Sequence, residues 1–427
     1  MKVGIVGTGY VGLVTGTCFA ELGHDVTCLD VVMEKVNKIN KGITPIYEPG
    51  LEELLKKNIR EKRLFATSNY GDLKDAEIIF ICVGTPPKPT GESDLSYVRR
   101  AAEQIKETNP DAIVVVKSTV PPGTTLSLNL KNPAMNPEFL KEGVAVEDFM
   151  KPDRLVVGAL KKENAEKVLK LYEKLKVPQD RQIVTDPTTA ELIKYASNAF
   201  LAAKISFINE MANICERIGA DVKVVAKGMG LDSRIGERFL NAGAGWGGSC
   251  FGKDVKAIMH TAIEANYEPK ILESVIEVNY NQALHVIALM ERAFEERKIK
   301  GKRIAILGLA FKPDTDDVRD AAALRIIREL AKEYEITAHD PIAIENTKKE
   351  LERDGIRIHY SRNWEECLKN KDACLLITEW KEYREIPLKR FKELLAHPIL
   401  IDGRRIYSPE EAKKRGIHYK GVGYGKK

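Results

Sequence analysis

The sequence predicts an α/β protein in which two doubly wound units flank a helical middle section. Three observations support this prediction: short β-branched runs alternate with helical stretches, a glycine-rich turn joins the first strand to the first helix, and the alternation returns after Gly301. The chain of 427 residues is also longer than one hydrophobic core usually organises. We therefore expect separate domains at residues 1–187, 188–297 and 298–427.

The first unit is predicted from short, apolar, largely unalternating runs, which are typical of parallel strands covered on both faces. These runs are residues 3–6, 25–29, 78–83, 113–117 and 155–158. Because helical stretches separate them, the sequence predicts a Rossmann-like unit over residues 1–187.

A long helix is predicted to open the middle section. Thr188 and Glu191, which follow Pro187, fit a capping box, and Gly219 ends the helical pattern. Further helices are predicted over residues 221–227, 254–265 and 270–297. Their long apolar stripes favour an association surface, so we expect a homodimer or a higher homo-oligomer.

The returning α/β pattern predicts a second Rossmann-like unit over residues 298–427. Its strands are expected at residues 303–307, 336–339, 373–378 and 399–401, with a helix over residues 321–334. The basic stretch 413–427 is expected to be a solvated tail.

Composition excludes several classes of protein. A net charge of +5 is small for this length and gives no reason to expect a nucleic-acid partner. The seven cysteines include no CxxC pair, so we expect reduced thiols and neither a disulfide framework nor a metal site. No apolar run approaches the length of a transmembrane helix, so we expect no membrane partner and a cytoplasmic location.

A GxGxxG motif predicts a dinucleotide site. Its Gly7, Gly9, Tyr10, Val11 and Gly12 follow a predicted strand and open a predicted helix. The glycines allow a tight turn and let backbone N–H groups approach a pyrophosphate at the helix N-terminus. A glycine turn that binds no ligand is the alternative.

The predicted second strand ends at Asp30, where a carboxylate would accept hydrogen bonds from the hydroxyls of an adenosine ribose. The same carboxylate would repel a 2′-phosphate, so the sequence favours NAD over NADP. Lys35 lies one helical turn further on and either reaches that ribose or is a solvated helix charge. Thr85 and Thr119 follow two later strands, where they either face the cofactor or are turn residues before proline.

The run GGSCFGKD, residues 247–254, predicts a reactive cysteine. Cys250 would leave a glycine loop and enter a helix, whose positive end favours the thiolate. Lys253 and Asp254 lie within one turn of it. The alternative is a buried small residue at a helix start.

Other polar residues form candidate partners for this cysteine. Lys194 and Asn198 are four residues apart and share one helix face, next to apolar neighbours. Glu138 and Glu142 stand in a proline-bounded loop, which surface solvation alone could explain.

The motifs resemble those of the nucleotide-sugar dehydrogenase family along nearly the whole chain. The matching runs are GTGYVG, VGTP, STVP, NPEFLKEG, EDFMKPDRLVVG, ELIKYASNAFLAAKISFINE, GGSCFGKD, FKPDTDDVRD and DGRR. Several of these runs are long and specific, so chance is a poor explanation. The resemblance implies NAD-dependent oxidation of a sugar carbinol to a carboxylate in two hydride steps.

The resemblance also implies a role for each matching position in the reaction. Cys250 would attack the aldehyde, giving a thiohemiacetal and then a thioester that water hydrolyses. Lys194 and Asp254, with Asn198, would bind the sugar oxygen and its oxyanion. Glu138, assisted by Thr119, would activate the water.

Cofactor and substrate contacts are implied in the same way. Cofactor contacts are expected at Gly7, Gly9, Tyr10, Val11, Gly12, Asp30, Lys35, Thr85, Thr119, Glu142 and Arg319. Substrate contacts are expected at Glu138, Phe139, Leu140, Lys194, Asn198, Phe239, Leu240, Asn241, Gly243, Gly247, Lys312 and Arg404. Arg234 resembles an arginine that the family's dimer supplies from the neighbouring subunit.

The chain departs from the family pattern in two places. Gly252 stands where the family generally has proline or another larger residue, which loosens the loop beside the cysteine. The segment between Thr119 and Glu138 is short, and residues 126–134 are expected to hold too few residues for both a helix and a strand. The placement of Glu138 depends on this segment.

Three alternatives remain open for the function. The runs NPEFLKEG and EDFMKPDRLVVG most resemble the branch that acts on UDP-glucose, and GDP-mannose or an N-acetylhexosamine nucleotide is the alternative substrate. A one-step hydroxyacid or alcohol dehydrogenase would not need Cys250. A non-catalytic binding protein would not need Cys250, Lys194, Asp254 and Glu138 together.

Overall fold

The computed structural model describes residues 1–426, which separate into two compact units. Unit 1 comprises Met1–Ser197 and Lys256–Glu268, and unit 2 comprises Asn198–Val255 and the described residues from Pro269 onward. The predicted division into three domains stays a prediction.

Unit 1 contains an eight-stranded sheet with the order β3-β2-β1-β4-β5-β6-β7-β8. The strands are β1 Lys2–Val6, β2 Asp25–Leu29, β3 Leu64–Thr67, β4 Ile78–Ile81, β5 Ile113–Val116, β6 Pro133–Met135, β7 Leu155–Ala159 and β8 Gln182–Thr185. All neighbouring pairs are parallel except β6 and β7. The helices are α1 Tyr10–Glu21, α2 Met33–Asn40, α3 Leu51–Arg60, α4 Ser96–Thr108, α5 Thr124–Ser127, α6 Ala145–Met150 and α7 Lys162–Lys170.

The apolar strands of unit 1 supply two hydrophobic cores, one on each face of the sheet. Along β4, Ile78 and Phe80 join one core, whereas Ile79 and Ile81 join the other. Successive side chains of a strand point to opposite faces. A strand covered on both faces must therefore be apolar at every position, as the sequence predicted.

Four further helices follow along the chain: α8 Pro187–Ile218, α9 Val222–Gly230, α10 Phe251–Glu264 and α11 Lys270–Arg297. The predicted helical character of this section is confirmed, and α8 ends before Gly219, whose φ is +82°. The predicted capping box is wrong. Asp186 caps the helix instead, accepting the backbone N–H of Thr189 at 2.9 Å, and Glu191 turns inward to another loop.

Unit 2 contains a six-stranded parallel sheet with the order β11-β10-β9-β12-β13-β14. The strands are β9 Arg303–Leu307, β10 Glu335–His339, β11 His359–Tyr360, β12 Ala373–Leu376, β13 Ile399–Asp402 and β14 His418–Gly421. The helices are α12 Ala322–Leu330, α13 Ile344–Arg353, α14 Trp364–Leu368, α15 Lys381–Arg384, α16 Leu388–Leu394 and α17 Pro409–Lys414. The first five strands of each sheet follow the order 3-2-1-4-5, so the predicted pair of Rossmann-like units is confirmed.

Two expectations about short segments are wrong. The segment before Glu138 holds both a one-turn helix, α5, and a three-residue strand, β6, because each element is reduced to its minimum. The basic end is not a solvated tail over its whole length, since β14 pairs with β13 and the Tyr419 side chain is buried. Lys427 lies outside the described residues.

Candidate active site

The glycine loop after β1 has the geometry that a dinucleotide needs. Gly7 has a φ of +96°, and a Cβ on Gly12 would collide with the carbonyl oxygen of Gly7. A Cβ on Gly9 would meet no heavy atom within 4 Å, so the N-terminus of α1 is open at this point. Tyr10 and Val11 form the first turn of α1, whose N–H groups are available to a phosphate.

The Asp30 carboxylate lies against this loop at the end of β2. It accepts hydrogen bonds from the backbone N–H and the hydroxyl of Thr8 at 2.9 and 2.6 Å and from the N–H of Val32 at 3.0 Å. Burial raises the pKa of Asp30, but these hydrogen bonds outweigh it and hold the pKa below its usual range. The Nζ of Lys35 lies 3.6 Å from the same carboxylate. An ionised carboxylate beside an open glycine loop fits an adenosine ribose.

The loops that follow β4 and β5 are joined by hydrogen bonds. The Thr85 hydroxyl donates to the backbone carbonyl of Thr119 at 2.9 Å, and the Ser118 hydroxyl donates to that of Val83 at 2.7 Å. Glu191 of α8, which sequence reasoning assigned to a cap, accepts the N–H of Thr125 at 2.7 Å. The two predicted threonines are therefore in contact across two neighbouring loops, and α8 is bonded to the segment that follows Thr119.

Glu138 and Lys194 form a buried ion pair within unit 1. Glu138 Oε1 lies 2.9 Å from Lys194 Nζ, and Oε2 accepts the backbone N–H of Leu140 at 2.6 Å. Burial raises the pKa of Glu138, but the charge and hydrogen bond of Lys194, with the Leu140 N–H, bring it below its usual range. The neighbouring Phe139 ring lies under the Arg154 guanidinium, at 3.6 Å. The structure thus pairs two residues that sequence reasoning proposed separately.

Glu48 anchors the loop that carries Glu138 and Glu142, and sequence reasoning missed it. Its buried carboxylate accepts the N–H groups of Gly143 and Ala145, both at 2.7 Å, and the hydroxyl of Tyr10. The glycine loop of the cofactor site is therefore tied to the glutamate loop through one side chain. In the sequence, Glu48 is marked only by its place before Pro49 and Gly50, in a segment for which no helix or strand was predicted.

Cys250 stands at the beginning of α10 in unit 2, as the sequence predicted. Its carbonyl accepts the N–H of Asp254 at 2.8 Å, the first hydrogen bond of the helix. The side chain is exposed, and its Sγ lies 3.5 Å from the Ser249 hydroxyl. The other six cysteines are buried thiols. A thiol at the positive end of a helix is placed for nucleophilic chemistry.

Asp254 is the centre of a buried polar cluster in unit 2. Its Oδ2 accepts a hydrogen bond from the Asn198 amide at 2.6 Å, and its Oδ1 lies 2.6 Å from Lys253 Nζ. The Asp254 residue is 1% exposed. Asp254 therefore contacts two of the other polar residues predicted around Cys250.

The unusual Gly252 has a structural reason. A Cβ at this position would collide with the Asp320 carboxylate. Asp320 itself has a φ of +51°. In this chain the acidic side chain fills the space that a larger residue at position 252 would need.

The predicted substrate residues of unit 2 lie in neighbouring loops. A Cβ on Gly243 would lie 2.9 Å from the Arg404 guanidinium, and Arg404 Nε donates to the Ile377 carbonyl at 2.6 Å. The backbone of Gly243 is held by the side chains of Asn209 and Gln282, at 2.8 and 2.9 Å. Arg404 and the Gly243 loop thus form one surface.

The remaining predicted substrate residues of unit 2 lie in the loops before Cys250 and after β9. Leu240 is buried and Asn241 is exposed, whereas the Phe239 ring lies 6.5 Å from that of Phe251. A Cβ on Gly247 would lie 2.6 Å from the Asp320 carbonyl. The Lys312 ammonium lies 5.5 Å from the Phe311 ring centre.

Two predicted arginines are held by aspartates two residues before them. Arg319 donates from Nε and Nη2 to Asp317 at 2.8 and 2.7 Å. Arg234 donates in the same way to Asp232 at 3.0 and 2.6 Å, and its side chain is 87% exposed. Their predicted contacts with cofactor and substrate stay predictions.

Neither a metal-binding cluster nor a membrane-spanning helix is found among residues 1–426. No group of three or more histidine, cysteine, aspartate or glutamate side chains in this range is placed to hold a metal ion. Within the same range, no helix has both the length and the apolar character needed to span a bilayer.

The dinucleotide loop and the two Rossmann-like sheets define a class of protein, the NAD-dependent dehydrogenases. More narrowly, the chain belongs to the UDP-glucose/GDP-mannose dehydrogenase family. Residues 1–176 match the family's NAD-binding domain, residues 188–281 its central domain and residues 305–409 its UDP-binding domain. The predictions of family, enzyme class and NAD as cofactor are confirmed.

Relatives match along the whole chain. A UDP-glucose 6-dehydrogenase of Bacillus subtilis is 44% identical, over 99% of this chain and 98% of that protein. A UDP-glucose 6-dehydrogenase of Rickettsia felis is 45% identical, over 99% and 96%. A solved UDP-glucose dehydrogenase of Pyrobaculum islandicum has a TM-score of 0.89 at 36% identity, covering 99% and 98% of the two chains.

Proposed function

We propose that this protein oxidises UDP-glucose to UDP-glucuronate. The observation that carries the proposal is an exposed cysteine at the start of α10 in a chain 44% identical, over its full length, to a UDP-glucose 6-dehydrogenase. Oxidation of an aldehyde to an acid needs a covalent adduct or a hydrate that can release hydride, and a cysteine supplies the adduct. A dehydrogenase that stopped at the aldehyde would not need Cys250.

NAD, when bound, supplies a hydride acceptor for each of the two oxidations. In the proposal Gly7, Gly9 and Gly12, with Tyr10 and Val11, hold the pyrophosphate, and Asp30 with Lys35 binds the adenosine ribose. Thr85, Thr119, Glu142 and Arg319 complete the cofactor contacts.

The role of Cys250 is covalent. After the first oxidation, its thiolate sulfur bonds to the aldehyde carbon, and the carbonyl oxygen becomes an alkoxide that takes a proton. The hydroxyl group of this thiohemiacetal then gives up its proton as the same carbon loses hydride to the second NAD, and a thioester results. Water adds to the thioester carbon, the carbon–sulfur bond breaks, and the thiolate and the carboxylate product result. The balance is two electron pairs removed and one water consumed for each sugar.

Other side chains orient the sugar and move protons. Lys194 is a buried cation and stabilises the developing oxyanion, the kind of electrostatic effect that usually contributes most to catalysis. Asn198 and Asp254 bind the same sugar oxygen in the proposal. Glu138 activates the water, assisted by Thr119, because a carboxylate with a lowered pKa is unprotonated near neutral pH.

Nucleotide recognition is assigned to the loops of unit 2. The cations Lys312 and Arg404 bind the diphosphate. The planar guanidinium of an arginine can donate two hydrogen bonds to one phosphate group. The uridine is bound by the loop that contains Phe239, Leu240, Asn241 and Gly243. Gly247, which has no side chain, lets the backbone approach the substrate. Phe139 and Leu140 contact the sugar from the glutamate loop.

We also propose a homodimer. The helix α8 carries an apolar stripe of exposed side chains at a seven-residue spacing, Phe200, Phe207 and Ile214, which are 67%, 47% and 42% exposed. Residues at this spacing share one helix face. An exposed face of this kind is typical of an association surface.

In this dimer Arg234 of the partner subunit completes the substrate site. The test refolds two inactive variants together, Cys250→Ala and Arg234→Ala. In an isologous dimer a mixed pair has one site with both defects and one with neither, so about a quarter of wild-type activity should return. No recovery in a mixture that contains mixed dimers would reject the shared site, as would full activity of Arg234→Ala alone.

A cytoplasmic location is part of the proposal, because buried reduced thiols are typical of a reducing compartment. Fractionation of cells that produce the tagged protein, with immunodetection, should find it in the cytoplasmic fraction. Recovery in a secreted fraction would contradict this location.

A panel of sugar nucleotides tests the substrate. UDP-glucose, GDP-mannose and UDP-N-acetylmannosamine are incubated with NAD, and the acids are identified by mass spectrometry. We expect the highest kcat/KM with UDP-glucose, because a solved UDP-N-acetylmannosamine dehydrogenase from Pyrococcus horikoshii is only 27% identical to this chain. Turnover with GDP-mannose or the N-acetylated sugar alone would contradict the proposal.

A further inference from the structure

Lys117 is a buried cation that none of the assigned roles uses. It directly follows β5, and the residue is only 4% exposed. Its Nζ lies 3.0 Å from Asn136 Oδ1 and 3.4 Å from the Tyr172 hydroxyl. Both of these partners are uncharged. A buried ammonium is costly unless a charge compensates it, so its surroundings decide what it does.

The charged and titratable groups around Lys117 come from four other segments. They are Cys82 after β4, Glu138 after β6, Tyr172 after α7 and Lys194 of α8. Burial lowers the pKa of Lys117 to about 8, an effect that Cys82 and Glu138 oppose and Lys194 adds to. Burial also raises the pKa of Cys82 to about 12, so this thiol is neutral near pH 7. Glu138 is therefore the anion among these groups near pH 7.

The contact between Lys117 and Asn136 fixes the turn that presents Glu138. Asn136 Oδ1 also accepts the Tyr172 hydroxyl at 2.6 Å, and its Nδ2 donates to the Val156 carbonyl at 2.8 Å. Every part of the Asn136 amide is thus engaged. The residue stands directly before Pro137, and a residue before proline has a restricted backbone. A displaced Asn136 would move Glu138.

We propose that Lys117 is a positioning residue for Glu138: it fixes the Asn136 side chain, and its charge acts together with that of Lys194 on the Glu138 carboxylate. This proposal rests on the proposed function, in which Glu138 activates water. Two buried cations around one carboxylate leave a net positive charge, which favours an oxyanion. Lys117 acts through Asn136 and Glu138 and is assigned no contact with substrate.

The pH dependence of kcat separates this role from a purely structural one. A nearby cation lowers the pKa of a carboxyl group. Lys117→Met should therefore raise the pKa of Glu138 and shift the acid limb of kcat to higher pH by about one unit. Tyr172→Phe is the matched control, because it removes a hydrogen bond to Asn136 but no charge. It should keep the wild-type acid limb. Lys117→Arg keeps the positive charge, so its acid limb of kcat should lie at the wild-type pH and not at the higher pH expected for Lys117→Met.

A second measurement does not depend on activity. The carboxylate band of Glu138 is followed against pH by infrared difference spectroscopy on the full-length protein, with Glu138→Gln to assign the band. Glu138 should titrate at higher pH in Lys117→Met than in Tyr172→Phe. If Lys117→Met does not fold, the nearly isosteric neutral variant Lys117→Gln takes its place.

The outcomes are distinct. An equal Glu138 titration in the Lys117 and Tyr172 variants would overturn the proposal. A shifted titration in a protein that makes no sugar acid would reject the proposed function while supporting the coupling of Lys117 to Glu138. A shifted titration together with a shifted acid limb supports both.

Discussion

Glu138 Oε1 lies 2.9 Å from Lys194 Nζ, and both side chains are almost completely buried. Removing one partner of a buried pair leaves an uncompensated charge, which typically costs about 3–5 kcal/mol. Lys194→Met should therefore lower the free energy of unfolding by about this amount. The double variant Glu138→Gln/Lys194→Met should lose less than Lys194→Met alone. Urea denaturation measures all three proteins, and strictly additive losses would show that the two side chains are not coupled.

The same pair predicts a pH dependence of stability. The pKa of Glu138 in the folded protein lies below its usual value, so the ionised carboxylate stabilises the fold above the unfolded pKa of about 4.3. This contribution is lost as the pH falls through the lower, folded pKa. The stability difference between wild type and Glu138→Gln should be constant between about pH 5 and pH 6, below the range in which Lys117 titrates, and should shrink in acid. If the stability difference between wild type and Glu138→Gln grew as the pH fell, the pKa of Glu138 could not be lowered in the folded protein.

Asp30 predicts the choice of cofactor. Wild type should prefer NAD, because a 2′-phosphate beside an ionised carboxylate is a like-charge contact that costs several kcal/mol. Asp30→Asn should improve kcat/KM for NADP relative to NAD by about tenfold or more. The control is Asp25→Asn, an exposed position at the other end of β2. An unchanged cofactor ratio in Asp30→Asn would show that the carboxylate does not face the ribose.

Glu48 predicts a coupling between the cofactor loop and the glutamate loop. A glutamine at this position presents an NH₂ group to the Gly143 or Ala145 N–H, so Glu48→Gln should lose about 1–3 kcal/mol of stability. Its kcat should fall as well, because the loop of Glu138 and Glu142 loses its anchor. Thermal unfolding and steady-state kinetics test this, with the exposed helix residue Glu53→Gln as the control. Equal behaviour of both variants would contradict the coupling.

Much of the fold could be predicted because its signals are local. The central strands β4 and β5 are apolar at every position, as the split of Ile78 and Ile79 between two cores explains. The beginning of α10 directly after Cys250 follows from a glycine loop that runs into a helical pattern. The shortest strands were missed because β6 has three residues and β11 has two, which are too few to show a hydrophobic periodicity.

The site was less accessible to sequence reasoning where partners are far apart in the chain. Glu191 was assigned to a cap because its spacing from Thr188 fits one, yet it bonds to Thr125 of α5, the short helix after β5. Glu48 and Lys117 act through backbone N–H groups or a neutral amide, and such contacts leave no motif. Motifs identified the reactive groups, whereas the groups that hold them required the structure.

The stoichiometry of NADH tests the central claim, a four-electron oxidation through Cys250, most directly. A limiting amount of UDP-glucose is incubated with excess NAD until absorbance at about 340 nm stops rising, and the product is quantified by mass spectrometry. We expect about two NADH and one UDP-glucuronate for each UDP-glucose, with no acid from Cys250→Ala. One NADH for each UDP-glucose with an aldehyde product, or sustained acid formation by Cys250→Ala, would contradict it.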